Sequence, residues 1–223
     1  MTPERLREIA FWASELSVAE AERACRGLTE KTWPAGATIM HRGDAYDYWT
    51  GVVSGLVKIS SVSSSGKALS LAGMPAGMWF GEGSMLKNER RQYDLVALRD
   101  SRLALMNGAT FAWLFENSVG FNRFLVRQFN ERLGQFIALV EHDRMLDGVA
   151  RVSRTIAWLF NPVLNPKLGT SLDISQEELG LIAGVSRQVA NRALQLLEAE
   201  GLLDIAQATL TPRDLLALAR YGE

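Results

Sequence analysis

The 223 residues carry a net charge of −1, with 48% hydrophobic and 22% charged side chains, which is the balance of an ordinary folded protein and not of a disordered chain. No apolar run approaches the roughly 18 residues of a membrane helix, and the acid-containing opening MTPERLREIAFW is not that of a secretory signal. One cysteine, Cys25, leaves no intrachain disulfide, so the expected compartment is the cytoplasm, with no membrane partner.

Residues 1–30 read as two short helices. Ser17-Val18-Ala19-Glu20 has the spacing of a capping box, in which hydroxyl and carboxylate satisfy each other's orphan backbone donors; the helix it starts ends near Gly27. Cys25 reads there as a small packed hydrophobe.

From about Trp33 to Asn107 the texture changes to short runs of Val, Ile, Leu and aromatics. Turn signals separate them: Pro34-Ala35-Gly36, Gly43-Asp44, Ser54-Gly55, Ser63-Ser64-Ser65-Gly66 and Pro75-Ala76-Gly77. Such spacing predicts an antiparallel roll or barrel. A hairpin is expected between Val57–Val62 and Lys67–Leu71 around Ser65-Gly66. A second pair, Asp94–Leu98 with Arg102–Met106, is expected to close the roll.

Beyond Thr110 the period is helical. Val126, Phe129, Leu133, Phe136 and Val140 recur at spacings of 3, 4, 3 and 4, a heptad-like seam on a helix expected over 118–146. Phe121, Phe124, Leu125 and Ile137 add apolar surface on its other faces. A helix apolar on more than one side needs cover from its own domain and from a partner, so the five seam residues form the expected homodimer interface. Asp147-Gly148 offers a break and an N-cap before a further helix, Val149–Phe160.

The stretch ISQEELGLIAGVSRQVANRALQLLEAEG, residues 174–201, carries the decisive pattern. Ser175 and Glu178 form a second capping box, and Leu179 and Ile182 face inward. Gly184 permits a sharp turn, Ser186 caps a second helix with an inner face of Val189, Ala193, Leu196 and Leu197, and Gly201 ends it. Two helices joined by a short Gly-containing turn form a helix-turn-helix. On the second, Arg187, Gln188, Asn191 and Arg192 occupy the polar face of the first two turns. A recognition helix presents such residues to the major groove, where arginine reads guanine and Gln or Asn matches adenine. Ser175, Gln176, Ser186, Arg187, Gln188, Asn191 and Arg192 are therefore the residues expected against DNA. Downstream, Leu202–Leu210 reads as a wing with an atypical Ala206-Gln207-Ala208 tip, and Thr211-Pro212 as the start of a last helix.

Charge does not carry this reading. Residues 148–223 hold seven Lys/Arg against eight Asp/Glu, a difference of −1, although no acid occurs between Leu179 and Leu197. Non-specific attraction to phosphates should be weak, and specificity must rest on local arrangement.

The order roll, long helix, winged helix-turn-helix resembles the Crp/Fnr family of bacterial transcription regulators over nearly the whole chain. The most specific parts are Pro34-Ala35-Gly36 with Gly43-Asp44, the run Val53-Ser54-Gly55-Leu56-Val57-Lys58-Ile59, Phe80-Gly81-Glu82, and Leu179 to Gly201. The resemblance implies an α+β protein. Its parts would be a jelly-roll (double-stranded β-helix) sensor at 1–117, a dimerisation helix at 118–146, and a winged helix-turn-helix at 147–223 reading a palindromic operator as a homodimer. RNA polymerase would be a further partner of an activator.

Members that read a TGTGA-like half-site carry an Arg-Glu pair and a later Arg. Here Arg187, Gln188 and Arg192 stand at those places, so an altered half-site is expected opposite Gln188. Cyclic-nucleotide binders of the family use Gly-Glu for the ribose and Arg-Ser for the phosphate, with a Thr-Ser pair on the long helix for the adenine. Gly81 and Glu82 are kept, Arg91 matches the Arg, but Gln92 replaces Ser, and Phe136 and Ile137 replace the hydroxyl pair. Cyclic AMP is therefore disfavoured as the ligand, and the effector is unknown; the alternatives are a regulator that needs no effector, or an interaction module whose helix-turn-helix no longer binds DNA. Glu82 and Arg91 read either as a structural ion pair or as the site of a different anionic ligand.

Other chemistries find little support. An iron–sulfur cluster needs several cysteines, and haem would have only His41, His142 and Cys25 as axial candidates. A cupin-type metal site needs clustered histidines, whereas the β-region holds His41 alone. Nucleophile elbow, P-loop and dinucleotide fingerprint are absent, so no catalytic or metal residues are assigned and an enzyme is not expected.

Overall fold

The computed structural model describes residues 1–45, 47–62, 68–142, 147–166 and 168–222, of which 62, 68–71 and 138–142 as backbone only. The chain opens with α1 (Pro3–Ile9), a 3₁₀ turn (Phe11–Glu15) and α2 (Val18–Gly27). Proline at the first turn of α1 needs no donor, and Thr2 accepts from the Arg5 N–H. α2 carries its expected capping box: Ser17 accepts from Glu20 N–H, and the Glu20 carboxylate accepts from Ser17 N–H at 2.6 Å.

The roll follows, with β1 (Leu28–Trp33), β2 (Thr38–Met40), β3 (Tyr48–Ser54), β4 (Leu56–Val62), β5 (Ala68–Pro75), β6 (Trp79–Phe80), the short helix α3 (Glu82–Lys87), β7 (Asp94–Ala97) and β8 (Ser101–Asn107). These strands form two four-stranded sheets, ordered β1-β8-β3-β6 and β2-β7-β4-β5, with all pairings antiparallel. β4 and β5 form the expected hairpin, Val62 opposite Ala68; its Ser65-Gly66 connection lies outside the described residues.

The second expected pair is a correction. Both strands exist, but β7 pairs with β2 and β4 while β8 pairs with β1 and β3, so the chain changes sheets between Ala97 and Ser101. Both strands bury one apolar face in the same core, Leu95 from one and Leu103 and Leu105 from the other, so their alternation looks alike whichever sheet holds them. The buried Ser101 hydroxyl fastens the crossing, accepting from Leu56 N–H at 3.2 Å and donating to the Arg99 carbonyl at 2.7 Å.

Next come α4 (Gly108–Asn117), capped by Asn107, and α5 (Val119–His142), which begins after Ser118. Residues 143–146, expected to continue this helix, lie outside the described residues. α5 buries Phe121, Phe124, Leu125 and Gln128. Trp12, Trp49, Trp79, Phe111, Phe121 and Phe124 form an aromatic cluster with ring centroids 4.5–6.2 Å apart. Each phenylalanine buried there stabilises the fold by roughly 1.5–3 kcal/mol. The cluster clamps the helix to the roll.

The C-terminal part contains α6 (Gly148–Leu159), β9 (Leu172–Asp173), α7 (Gln176–Ala183), α8 (Arg187–Ala199), β10 (Leu203–Ala206), β11 (Thr209–Pro212) and α9 (Leu215–Ala219). Asp147 caps α6 through the Val149 and Ala150 N–H groups. The last helix starts later than expected. Pro212 ends β11 opposite Leu203, and Asp214 caps α9 by accepting from Ala217 N–H at 2.9 Å.

This part packs against the roll. Ile182 of α7 lies on Gly73 of β5, where a Cβ would stand 2.5 Å from the isoleucine Cδ1. Leu56 joins the core that α6, α7 and α8 share. Polar contacts with α5 flank them: Gln128 donates to the Val163 carbonyl at 2.8 Å and Asn161 to Glu131 at 2.6 Å. Among the described residues, no helix is long and apolar enough to cross a membrane.

Candidate nucleic-acid interface

α7 and α8 are built by local signals. Ser175 accepts from Glu178 N–H at 3.2 Å, and the Glu178 carboxylate accepts from Ser175 N–H at 2.8 Å. Gly184 adopts φ +66°, the left-handed conformation that glycine adopts without strain, and turns the chain. Ser186 then accepts from Val189 N–H at 3.2 Å and starts α8.

The buried stripe of α8 is Ala190, Ala193, Leu194 and Leu197. Val189 is half-buried and Leu196 exposed, which corrects their assignment to the inner face. At 3.6 residues per turn the four buried positions fall within about 100° of arc, whereas Leu196 lies about 110° from their centre.

Outside this stripe, Arg187, Gln188 and Arg192 are exposed, while Asn191 is half-buried and accepts from Gln176 Nε2 at 2.9 Å. Between the starts of both helices and the wing lies a groove of about 310 Å³, lined by Ser175, Gln176, Glu177, Arg187, Gln207 and Thr209. The expected wing is β10 paired with β11, Ala206 opposite Thr209. Its tip lacks glycine because Gln207 itself takes the left-handed conformation, φ +59°. Ile174 N–H donates to the Ala208 carbonyl at 2.9 Å and ties the tip to the entry of α7. All seven residues expected against DNA thus lie on the two helices of one hairpin. Ser175 and Ser186 cap them.

Glu178 also anchors this unit to the roll. Arg99 Nε and Nη2 donate to its two carboxylate oxygens at 2.8 and 2.7 Å, and Nη2 donates to the Asp173 carbonyl at 2.9 Å. Burial alone would raise the Glu178 carboxyl, but Arg99 and Ser175 outweigh it and hold the group below the usual carboxylate range.

The expected effector residues are arranged differently. Gly81, at φ +99°, precedes α3, and Glu82 behind it is only 3% exposed. Trp49 Nε1 donates to Glu82 Oε2 at 3.2 Å, and Arg132 of α5 forms an ion pair with Oε1 while donating to the Trp79 carbonyl. Sequence reasoning missed Arg132 as the partner of Glu82; an arginine on the inward side of a helix is its only sequence signal. Arg91 is likewise 3% exposed, and its backbone pairs with Gly43 and Asp44. Gln92 is exposed and donates to the Arg90 carbonyl, and Phe136 and Ile137 are exposed on α5. The Glu82 carboxylate is thus held by Arg132 and Trp49, while Gln92, Phe136 and Ile137 are exposed.

The seam residues Val126, Phe129, Leu133 and Phe136 form one exposed stripe, Val126 at 66% and Phe136 at 59%; the Val140 side chain lies outside the described residues. His41 is exposed in its turn, and burial pushes the Cys25 thiol up, which suits packing rather than ligation. No cluster of three metal-binding side chains occurs among the described residues.

Residues 30–118 match the family model of the cyclic nucleotide-binding domain, and residues 150–221 that of the Crp-like helix-turn-helix domain. The chain is 27% identical over 199 residues to the Cyclic AMP receptor protein of Thermus thermophilus, covering 89% of this chain and 90% of that protein. It is 25% identical over 187 residues to the cAMP-activated global transcriptional regulator Vfr of Pseudomonas aeruginosa, covering 81% and 87% respectively. Among solved structures it is similar to the c-di-GMP responsive global regulator CLP of Xanthomonas campestris. That match is 25% identical with a TM-score of 0.60, over 89% of this chain and 100% of that one.

Proposed function

The chain belongs to the Crp family of DNA-binding transcription regulators, and from that premise we propose that it acts as a homodimer on a palindromic duplex. The observation that carries this is the outer face of α5. A run of four large apolar side chains stands exposed at heptad-like spacing while the opposite face is buried in its own protomer. Exposed apolar stripes of this kind mark association surfaces. A second copy offers the same stripe, and a two-fold pairing covers both at once. Two recognition helices related by that axis then meet half-sites about one helical turn, roughly 34 Å, apart.

Within each half-site, Arg187 and Arg192 are assigned to guanines, and Gln188 to a base other than the cytosine an acid would select. Ser175, Gln176 and Ser186 hold the helix starts against phosphates.

Two readings of the roll follow. In the first, an unidentified effector acts at the roll and governs DNA binding. The second, an effector-independent regulator, is favoured by the Arg132–Glu82 ion pair, because the chain's own guanidinium occupies the carboxylate a ribose would need.

Selection of sites from a random duplex library, with and without cyclic AMP, tests the proposal. The expected result is an inverted repeat enriched equally in both conditions. Enrichment only with the nucleotide would sink the effector-independent reading. Sites without two-fold symmetry would sink the dimer.

A further inference from the structure

Asn191 is joined to the first helix by a hydrogen bond in which Gln176 Nε2 donates to Asn191 Oδ1 at 2.9 Å. Both residues stand at the mouth of the hairpin, Gln176 at the first position of α7 and Asn191 one turn into α8 between the exposed Arg187 and Arg192. Reading adenine requires an asparagine to present both halves of its amide, Oδ1 accepting from N6 and Nδ2 donating to N7. Here Oδ1 turns back to α7. That leaves Nδ2 as the end of the amide outside this hydrogen bond. We propose that Asn191 reads its base as a donor only, tolerating any base with a major-groove acceptor (guanine, adenine or thymine) and rejecting cytosine, which has none, and that Gln176 is the positioning residue that sets this polarity.

The assignment rests on the DNA-reading function above and replaces the bidentate adenine contact that the sequence suggests for Asn191. It also gives Gln176 a role beyond a phosphate contact. Gln176 is the donor, so the polarity of the pair can be reversed by chemistry alone. A carboxylate at 176 can only accept, so Q176E would draw Nδ2 inward and turn Oδ1 toward the groove. A negative side chain at the first position of a helix is compatible with the helix dipole, so α7 keeps its start.

The test is library selection with the full-length wild-type protein and with N191A, Q176A and Q176E. N191A identifies the half-site column that Asn191 governs by flattening it. In wild type that column should disfavour cytosine by on the order of tenfold, the scale of one good base contact, without the sharp adenine preference of a bidentate amide. Q176E should invert it toward cytosine or adenine, whose N4 and N6 donate. Q176A should relax it toward adenine, because both ends of the amide become free. The columns governed by Arg187 and Arg192 should stay unchanged in all three variants, which a merely misfolded hairpin would not allow.

A cytosine preference or a sharp adenine preference in wild type, or a column indifferent to Q176E, would overturn the inference while leaving the regulator intact. So would N191A flattening no column. Failure of wild type to enrich any sequence would instead remove the DNA-reading function, and this assignment with it.

Discussion

In the roll, Glu82 is 3% exposed and its carboxylate already holds Arg132 and Trp49; in the helix-turn-helix, Arg187, Gln188 and Arg192 stand in solvent on a rigid helix. The first place has the residues of a ligand site with its charge answered from within the chain. In the second, the outward polar groups are left over after every structural bond of the hairpin has been made. A buried carboxylate cannot remain unanswered in a low-dielectric interior, so it binds either a ligand or a neighbour. Exposed guanidinium groups are satisfied by water and can exchange it for base edges at modest cost. The retained glutamate is therefore weak evidence for a cyclic nucleotide, while the retained arginines are stronger evidence for DNA.

The sharpest break in the comparison comes from the proposed dimer surface on α5. Phe136→Asp should abolish dimerisation, because it places a charge within the apolar stripe; a sedimenting dimer would refute the α5 interface. Arg187→Ala or Arg192→Ala should weaken operator binding by roughly 2–6 kcal/mol, counting 1–3 kcal/mol in each of two half-sites, with the melting temperature unchanged. Equal affinity in a binding titration would remove that residue from the reading face.

On the roll side, Arg132→Ala should destabilise the fold by about 3 kcal/mol, since it strands a buried carboxylate. The double variant E82Q/R132M should recover most of this, and denaturant melts of both measure the difference. A neutral Arg132→Ala would show that the pair does not close the site.

The smallest effect concerns docking of the two halves. Arg99→Ala should cost about 1 kcal/mol, the scale of a partly exposed bidentate pair. The Glu178 carboxyl is held below its unfolded value, so its contribution is fully present above the ordinary carboxylate range and is lost as pH falls through the folded value. Acid melts of wild type should therefore lose more stability below that range than those of Arg99→Ala, and parallel curves would contradict the assignment.

The hairpin that reads DNA was largely legible in the sequence, because its determinants are local. Ser175 with Glu178, Gly184, Ser186 and Gly201 each act within four residues of where they stand, and the structure uses each of the four signals as expected, with Gly201 at φ +75° closing α8. The α5 seam was legible for the same reason, as a spacing along one helix. Which residue fills a stripe was less so: Leu194 and Leu196 differ by two positions, and only packing against α6 and β10 chooses between them.

What the amino-acid sequence determined by itself, then, was the kind of each element and the chemistry of its exposed face, because helix caps, turns and periodicities are decided between near neighbours. Tertiary structure alone decided the partners across long gaps. Arg132 meets Glu82 across 50 residues, Arg99 meets Glu178 across 79, and β7 and β8 separate into different sheets although three residues link them. Nothing in a local window specifies such pairings; they follow from which apolar faces must be buried together, and the polar groups carried along with those faces find their partners where the packing leaves them.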